Sequence, residues 1–269
     1  MRPCRQGDAE EREMAIDYRK EGHIALVTMN RPEAMNCLNL ADVEELGRVW
    51  LDFRDDDESW VAVLTGAGEA AFCAGADLAE LIPKVNAGEV PLSPTMPAFL
   101  KNIRCFKPII AAVNGHCLAG GMEMLQGTDL RISVEEATFG LPEVKLALFP
   151  VAGSTVRLPR QIPFCWAMQI LLLGDPITAR QALQIGLINE VVPREKLMER
   201  AMSLAERICR NGPLALKAIK ESAMRAYDLP EEAAYFLEAF LAKGVFGTED
   251  ATEGPKAFLE RRRPRYAGR

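Results

Sequence analysis

Two glutamates stand out as groups able to do chemistry: Glu123 in Ala119-Gly-Gly-Met-Glu123 and Glu143 in Phe139-Gly-Leu-Pro-Glu143, each behind glycine-bearing backbone in a stretch with little other charge. A carboxylate is costly to bury unless it is paired or used. If the two converge, like-charge repulsion raises the pKa of one and leaves the other low, so one can hold a proton while its neighbour accepts one. That is the equipment of an acid/base enzyme. Gly120-Gly121 directly precede Glu123, where a helix N-terminus would offer unpaired N–H donors and a positive dipole end to a developing oxyanion; simple helix capping is the competing reading. Ala71-Phe-Cys-Ala-Gly-Ala-Asp-Leu78 is a second small-residue turn, which either brings backbone N–H groups close to a ligand or merely packs.

Other chemistries are poorly supplied. There is no G-x-S-x-G, H-E-x-x-H or G-K-[ST] motif, and His23 and His116 are the only histidines, which argues against a histidine triad. His23 reads as flanking the first strand, and His116 as a structural residue in the turn before Gly120. Seven scattered cysteines without C-x-x-C spacing indicate neither a disulfide framework nor a zinc site, so reduced thiols, no metal and a cytoplasmic location are expected. Gly66-Ala-Gly-Glu-Ala-Ala71 fits the loose dinucleotide pattern G-x-G-x-x-A, but Phe72-Cys-Ala-Gly75 makes another turn where that pattern needs a helix. The net charge of −6 weighs against bulk capture by nucleic acid or an anionic membrane. Met1 to Lys20 lacks the apolar run of a signal peptide, and the best apolar stretch, Pro108 to Gly121, is too short for a membrane span.

The elements that must position these groups alternate. Ile24–Met29, Val61–Thr65, Ile109–Val113 and Leu130–Val134 read as buried strands. A helix is expected between the first two, opened by a capping box at Asp42-Val-Glu-Glu45, and another from Gly121 to Gln126. The class is therefore α/β. A second capping box at Thr178-Ala-Arg-Gln181 opens a helix to Gly186, with a short strand at Glu190–Val192. Helical periodicity then fills 195–210, 214–227 and 231–243, and Lys256–Arg263 reads as a short helix with a basic end. Pro83 to Pro97 is the one loop long enough to be a lid or pocket wall. The division is 1–20 as an N-terminal extension, 21–205 as the core domain and 206–269 as a C-terminal helical region.

Five motifs in order resemble the crotonase, or enoyl-CoA hydratase/isomerase, superfamily: Phe72-Cys-Ala-Gly-Ala-Asp-Leu78, Lys107-Pro-Ile-Ile-Ala-Ala-Val-Asn-Gly115, Ala119-Gly-Gly-Met-Glu123, Phe139-Gly-Leu-Pro-Glu143, and Thr178-Ala-Arg-Gln-Ala182 followed by Gly186-Leu-Ile-Asn-Glu190. The resemblance implies a spiral of ββα units, a C-terminal helical region used in trimerisation, and an acyl-CoA thioester substrate with no separate cofactor. It places the oxyanion hole on the N–H groups of Ala76 and Gly120, acid/base catalysis on Glu123 and Glu143, and substrate contacts at Ala34, Ala74, Asp77, Leu78, Val151, Lys256 and Phe258. A homotrimer or dimer of trimers is implied. In the family, hydratases of 2-enoyl-CoA carry glutamates at both positions and many other members keep one or neither, so the pair narrows the chemistry toward hydration. The alternatives are an enoyl-CoA isomerase, which needs one carboxylate, a carnitinyl-CoA dehydratase-like enzyme, to which Arg157-Leu-Pro-Arg-Gln-Ile-Pro163 is similar, and a silent acyl-CoA-binding subunit. Phe149-Pro-Val-Ala-Gly-Ser-Thr155 departs from the family, which often has glycine where Val151 stands, so Val151 is expected to narrow the acyl pocket.

Overall fold

The computed structural model describes residues 15–93 and 95–269. Its centre is dictated by strands buried along nearly their whole length, which must be covered on both sides and so favour parallel pairing. These are β2 (Ile24–Met29), β3 (Val61–Gly66), β5 (Ile109–Val113) and β7 (Leu130–Val134), joined at one end by β10 (Glu190–Val192). At the other end β1 (Ile16–Glu21) pairs antiparallel with β2, giving the order β1-β2-β3-β5-β7-β10. This corrects the boundary drawn at residue 20: the strand begins inside the segment read as an extension, of which residues 1–14 lie outside the described residues. Its exposed Arg19, Lys20 and Glu21 mask it, as suits an edge strand.

A second, smaller sheet is made of three short strands, β4 (Ala71–Cys73), β6 (His116–Leu118) and β8 (Thr138–Gly140), and an antiparallel edge, β9 (Ile177–Thr178). The chain passes from β3 to β4, β5 to β6 and β7 to β8, crossing between the sheets before a helix returns it: α2 (Leu81–Asn86) after β4, α3 (Gly120–Leu125) after β6, and a 3-10 turn (Pro142–Leu146) leading to α4 (Ser154–Gln161) after β8. These are the ββα units, and the site residues sit on their crossovers.

Helix α1 (Leu40–Asp55) buries Leu46, Val49, Trp50 and Phe53. Its cap is Asn39 rather than Asp42: the Asn39 side chain accepts from Asp42 N–H at 2.9 Å while Asp42 accepts from Asn39 N–H at 3.0 Å. Asp42 occupies the third helical position of that box. Lys107, from the Lys107-Pro108 motif, is buried and closes the other end of α1 by donating to the carbonyls of Phe53 and Asp56.

The proline-dotted segment expected to be one loop starts inside α2, with Pro83 in its first turn, and is irregular only beyond Asn86. An unexpected helix, α5 (Phe164–Leu173), follows α4, because a run of ten residues without a charge has no polar face to reveal its period. Next come α6 (Ala179–Gln184), with the expected Thr178–Gln181 capping box, and α7 (Leu197–Ile208), whose buried Leu197, Ala201 and Ala205 pack against β3, β5 and β7. The boundary at 205 therefore falls within a helix of the core. The outer helices are α8 (Pro213–Ala226), α9 (Glu231–Phe246) and α10 (Glu249–Leu259). The tail helix expected at Lys256–Arg263 instead starts at Glu249 and stops at Leu259, leaving the arginines beyond it. There the chain turns back, and the N–H groups of Ala267 and Gly268 donate to Asp250 at 2.7 and 2.9 Å.

Candidate active site

Two backbone segments abut at the edge of the small sheet. Gly75 follows β4 with φ +105°, and Ala119 follows β6 with φ +49° and ψ −125°, a conformation unfavourable for a residue with a Cβ. The strained turn at Ala119 starts α3. A methyl group built on Gly75 would lie 2.6 Å from Ala119 Cβ and 3.1 Å from the Gly120 nitrogen, so only glycine lets the strands approach this closely. Likewise, a methyl on Gly121 would lie 2.2 Å from the Cys73 carbonyl oxygen. Leu38 grips the first segment, donating to Gly75 O at 2.8 Å and accepting from Asp77 N–H at 2.9 Å. Between these bonds the Ala76 N–H donates to no acceptor among the described residues, and neither does Gly120 N–H in the first turn of α3. Two free amide donors are thus held side by side.

Glu123, in the first turn of α3, and Glu143, in the 3-10 turn after β8, are both buried. Ser154 N–H donates to Glu123 Oε1 at 3.0 Å. Burial raises the Glu123 pKa, opposed by the amides of Ser154 and Ala152 and by the charges of Arg157 and Lys101. Glu143 has much less support. Its Oε2 is buried without a hydrogen-bond partner, and desolvation, reinforced by the Glu123 charge, pushes its pKa up to about 7. The asymmetry is electrostatic: the amides and cations around Glu123 oppose the rise that burial imposes and favour its ionised form, whereas Glu143, with one oxygen unpartnered, keeps a proton near neutrality.

The rim residues fall as follows. Ala34 is half-buried in a 3-10 turn (Pro32–Ala34), and Ala74 N–H donates to the adjacent Met35 O at 3.1 Å, so both border the free amides. Leu78 is exposed beside them. The Asp77 carboxylate accepts from the N–H groups of Ala79 and Glu80 at 3.0 and 3.2 Å and lies 3.5 Å from Arg31. Val151 is half-buried, with its carbonyl taken by Lys101 Nζ at 2.7 Å. Lys256 and Phe258 lie on α10, where an open cleft of about 1000 Å³ also exposes Arg262, Arg263 and Arg265. Arg262 is committed to Glu253 and Glu260. His116 belongs to β6 rather than to a turn and meets Thr138 Oγ1 at 2.7 Å, and His23 stacks on Trp60 at 3.7 Å.

Several supporting residues are not assigned a role by the sequence, although Asn114 lies within the Lys107–Gly115 motif. Asn36 and Asn114 both donate to Ala71 O, at 2.7 and 3.0 Å, and so fix the turn into β4. Phe99 lies against Gly120, its ring 2.9 Å from a methyl built there. Arg157 donates to the carbonyls of Phe99, Leu100 and Glu123 at 3.0, 2.5 and 3.3 Å, tying α4 to the Glu123 helix. Only its position as a lone charge near the start of a helix hints at this.

A ββα spiral whose crossovers carry two free amides and two buried glutamates is the architecture of an acyl-CoA enzyme family: the chain belongs to the enoyl-CoA hydratase/isomerase family, which it matches over residues 19–269. It is 42% identical to the enoyl-CoA hydratase EchA19 of Mycobacterium tuberculosis, covering 93% of this chain and 95% of that protein. It is 40% identical to the (E)-benzylidenesuccinyl-CoA hydratase of Thauera aromatica, covering 95% and 100%. The crystal structure of an enoyl-CoA hydratase from Bacillus anthracis superposes with a TM-score of 0.88 at 36% identity, over 95% of this chain and all of that one.

Proposed function

We propose that the protein is an enoyl-CoA hydratase that adds water reversibly to a 2-enoyl-CoA thioester to give a 3-hydroxyacyl-CoA. The observation carrying this reading is the unequal glutamate pair, one carboxylate held by the Ser154 amide and the other buried with one oxygen unpartnered. The thioester oxygen is placed on the N–H groups of Ala76 and Gly120. Glu123 takes a proton from water as its oxygen bonds to the β-carbon, the π electrons move to the thioester oxygen, and Glu143 delivers its proton to the α-carbon as the enolate collapses. Each amide donor is worth about 2.7–4 kcal/mol to such an oxyanion. Only water and protons move, so coenzyme A, as part of the substrate, is the only cofactor-like group. Isomerisation would leave one glutamate idle. The family membership and the hydratase names of the relatives support the same reading. The test is a panel of 2-enoyl-CoA thioesters followed by loss of the conjugated absorbance; turnover of none, or conversion to the 3-enoyl isomer, would reject it.

The pH dependence follows from the pair. The active form has Glu143 protonated and Glu123 ionised, so raising the pH removes the catalytic proton and activity falls. We expect kcat/KM to decline on its alkaline side with an apparent pKa near the Glu143 value of about 7, read as a property of the pair. A profile flat through neutrality would contradict this assignment.

The coenzyme A phosphates are placed near α10. Among the described residues, Lys256, Arg263 and Arg265 pair with no carboxylate, so they, rather than Arg262, are the available cations. Reversing Lys256 and Arg263 to Glu is expected to raise KM with little change in kcat, an effect that fades with salt because exposed charges are screened within about 10 Å at 0.1 M. An unaltered KM at low salt would detach this tail from the coenzyme site.

A homotrimer or dimer of trimers is also proposed, working in the cytoplasm. Ile219, Phe236, Phe240 and Phe246 on α8 and α9 are 67, 72, 75 and 82% exposed, more apolar surface than outer helices leave to water without a partner. Light scattering should return a multiple of three chain masses. No helix among the described residues is long and apolar enough to cross a membrane.

A further inference from the structure

We propose that Lys101 is a specificity-determining residue of the acyl pocket that recognises a carboxylate on the acyl chain beyond the reacting double bond, making mono-CoA thioesters of 2-enedioic acids the preferred substrates. This deepens the hydratase reading and rests on it.

The placement of Lys101 is fixed on both sides. Upstream, Phe99 touches Gly120, and Arg157 holds the carbonyls of Phe99 and Leu100. Leu100 then takes φ +54°, which turns the chain, and Lys101 bridges back to Met96. From there its ammonium reaches Val151 O at 2.7 Å and, less closely, Ser93 O at 3.3 Å. Val151 lies three residues before Ser154, whose N–H holds Glu123. The ammonium therefore sits on a wall that continues from the glutamate pair, in the segment linking Glu143 to α4. With the thioester oxygen on the Ala76 and Gly120 amides, the acyl chain beyond the reacting carbons runs past the glutamates toward this wall.

Charge is the second part of the case. Lys101 is half-buried, and no carboxylate among the described residues lies within ion-pairing distance of it. Neutral carbonyls occupy two of its three protons, and the carboxylate that feels its charge, Glu123, lies beyond ion-pairing distance. Desolvating such a charge is unfavourable, and a neutral side chain could join the same two carbonyls at lower cost. An incoming carboxylate would accept the remaining proton and offset that cost, whereas an alkyl terminus would add to it.

The test compares trans-2-hexenoyl-CoA with the mono-CoA thioester of trans-2-hexenedioic acid, which carries a carboxylate in place of the terminal methyl. The wild-type protein should favour the second by about 10–100-fold in kcat/KM, the usual worth of a charge-assisted hydrogen bond. Lys101→Met should abolish that preference and Lys101→Arg should preserve it. Because both substrates are compared on one variant, a general loss of fold or of Glu123 support cancels in the ratio. No preference in the wild type, or equal slowing of both substrates by Lys101→Met, would overturn the proposal while leaving the hydratase reading intact. Hydration of neither thioester would overturn both.

Discussion

Glu143→Gln and Glu123→Gln should each lower hydration by about 10²–10⁴-fold, the usual worth of a positioned acid or base. Their effects on stability should differ. Gln at 143 resembles the neutral acid that burial already favours, so the fold should tolerate it, and more so above neutral pH, where the wild-type protein must ionise a buried group. Gln at 123 presents an NH₂ group to a niche supplied with the Ser154 and Ala152 amides, and a donor facing a donor costs about 1–3 kcal/mol. The variant should therefore melt earlier as well as turn over slowly. Loss of the enoyl-thioester absorbance measures the first effect and thermal unfolding the second. Either variant keeping more than about a tenth of wild-type turnover would remove that residue from the acid/base role.

Gly75→Ala is expected to cost about 10²–10³-fold in kcat, comparable to deleting an oxyanion donor, although it alters no side chain that reacts. The added methyl falls 2.6 Å from Ala119 Cβ and 3.1 Å from the Gly120 nitrogen, so the two amide segments must separate. It also meets a φ of +105° that alanine resists. Gly22→Ala provides the control: its φ is +59°, yet a methyl there meets nothing within 4 Å. That variant should lose some stability and keep its turnover. If Gly75→Ala matched it, the closeness of the two segments would be irrelevant to the reaction.

What could be read in the sequence depended on whether the cause was local. The strands β2, β3 and β5 announce themselves by their β-prone apolar runs and β7 by its alternating Leu130, Ile132 and Val134, while Glu123 and Glu143 stand out by isolation among uncharged residues. The three-residue strands β4, β6 and β8 are too short for any period to show. Helix α5 is uniformly apolar, and β1 is hidden by its charges. Asp77 is a substrate contact only by resemblance to the family; that its carboxylate accepts from the N–H groups of Ala79 and Glu80 belongs to a turn that only folding reveals. Arg157 and Lys101 are out of reach for another reason: the carbonyls that fix them, those of Phe99 and Leu100 for the one and Val151 for the other, are 50 to 58 positions away.

In both sheets the strands lie side by side in the order in which the chain supplies them, β1-β2-β3-β5-β7-β10 and β4-β6-β8-β9. A chain leaving the ribosome can therefore assemble this molecule by winding, each new turn docking on the one just finished, as in a solenoid whose repeats contact only their neighbours. No strand waits for a partner synthesised much later. The two amides meet once the second turn is laid down, but Glu123 acquires its Ser154 clamp only when the third is complete. Truncated chains should thus pass through a stage that binds a thioester oxygen before any stage that can move a proton.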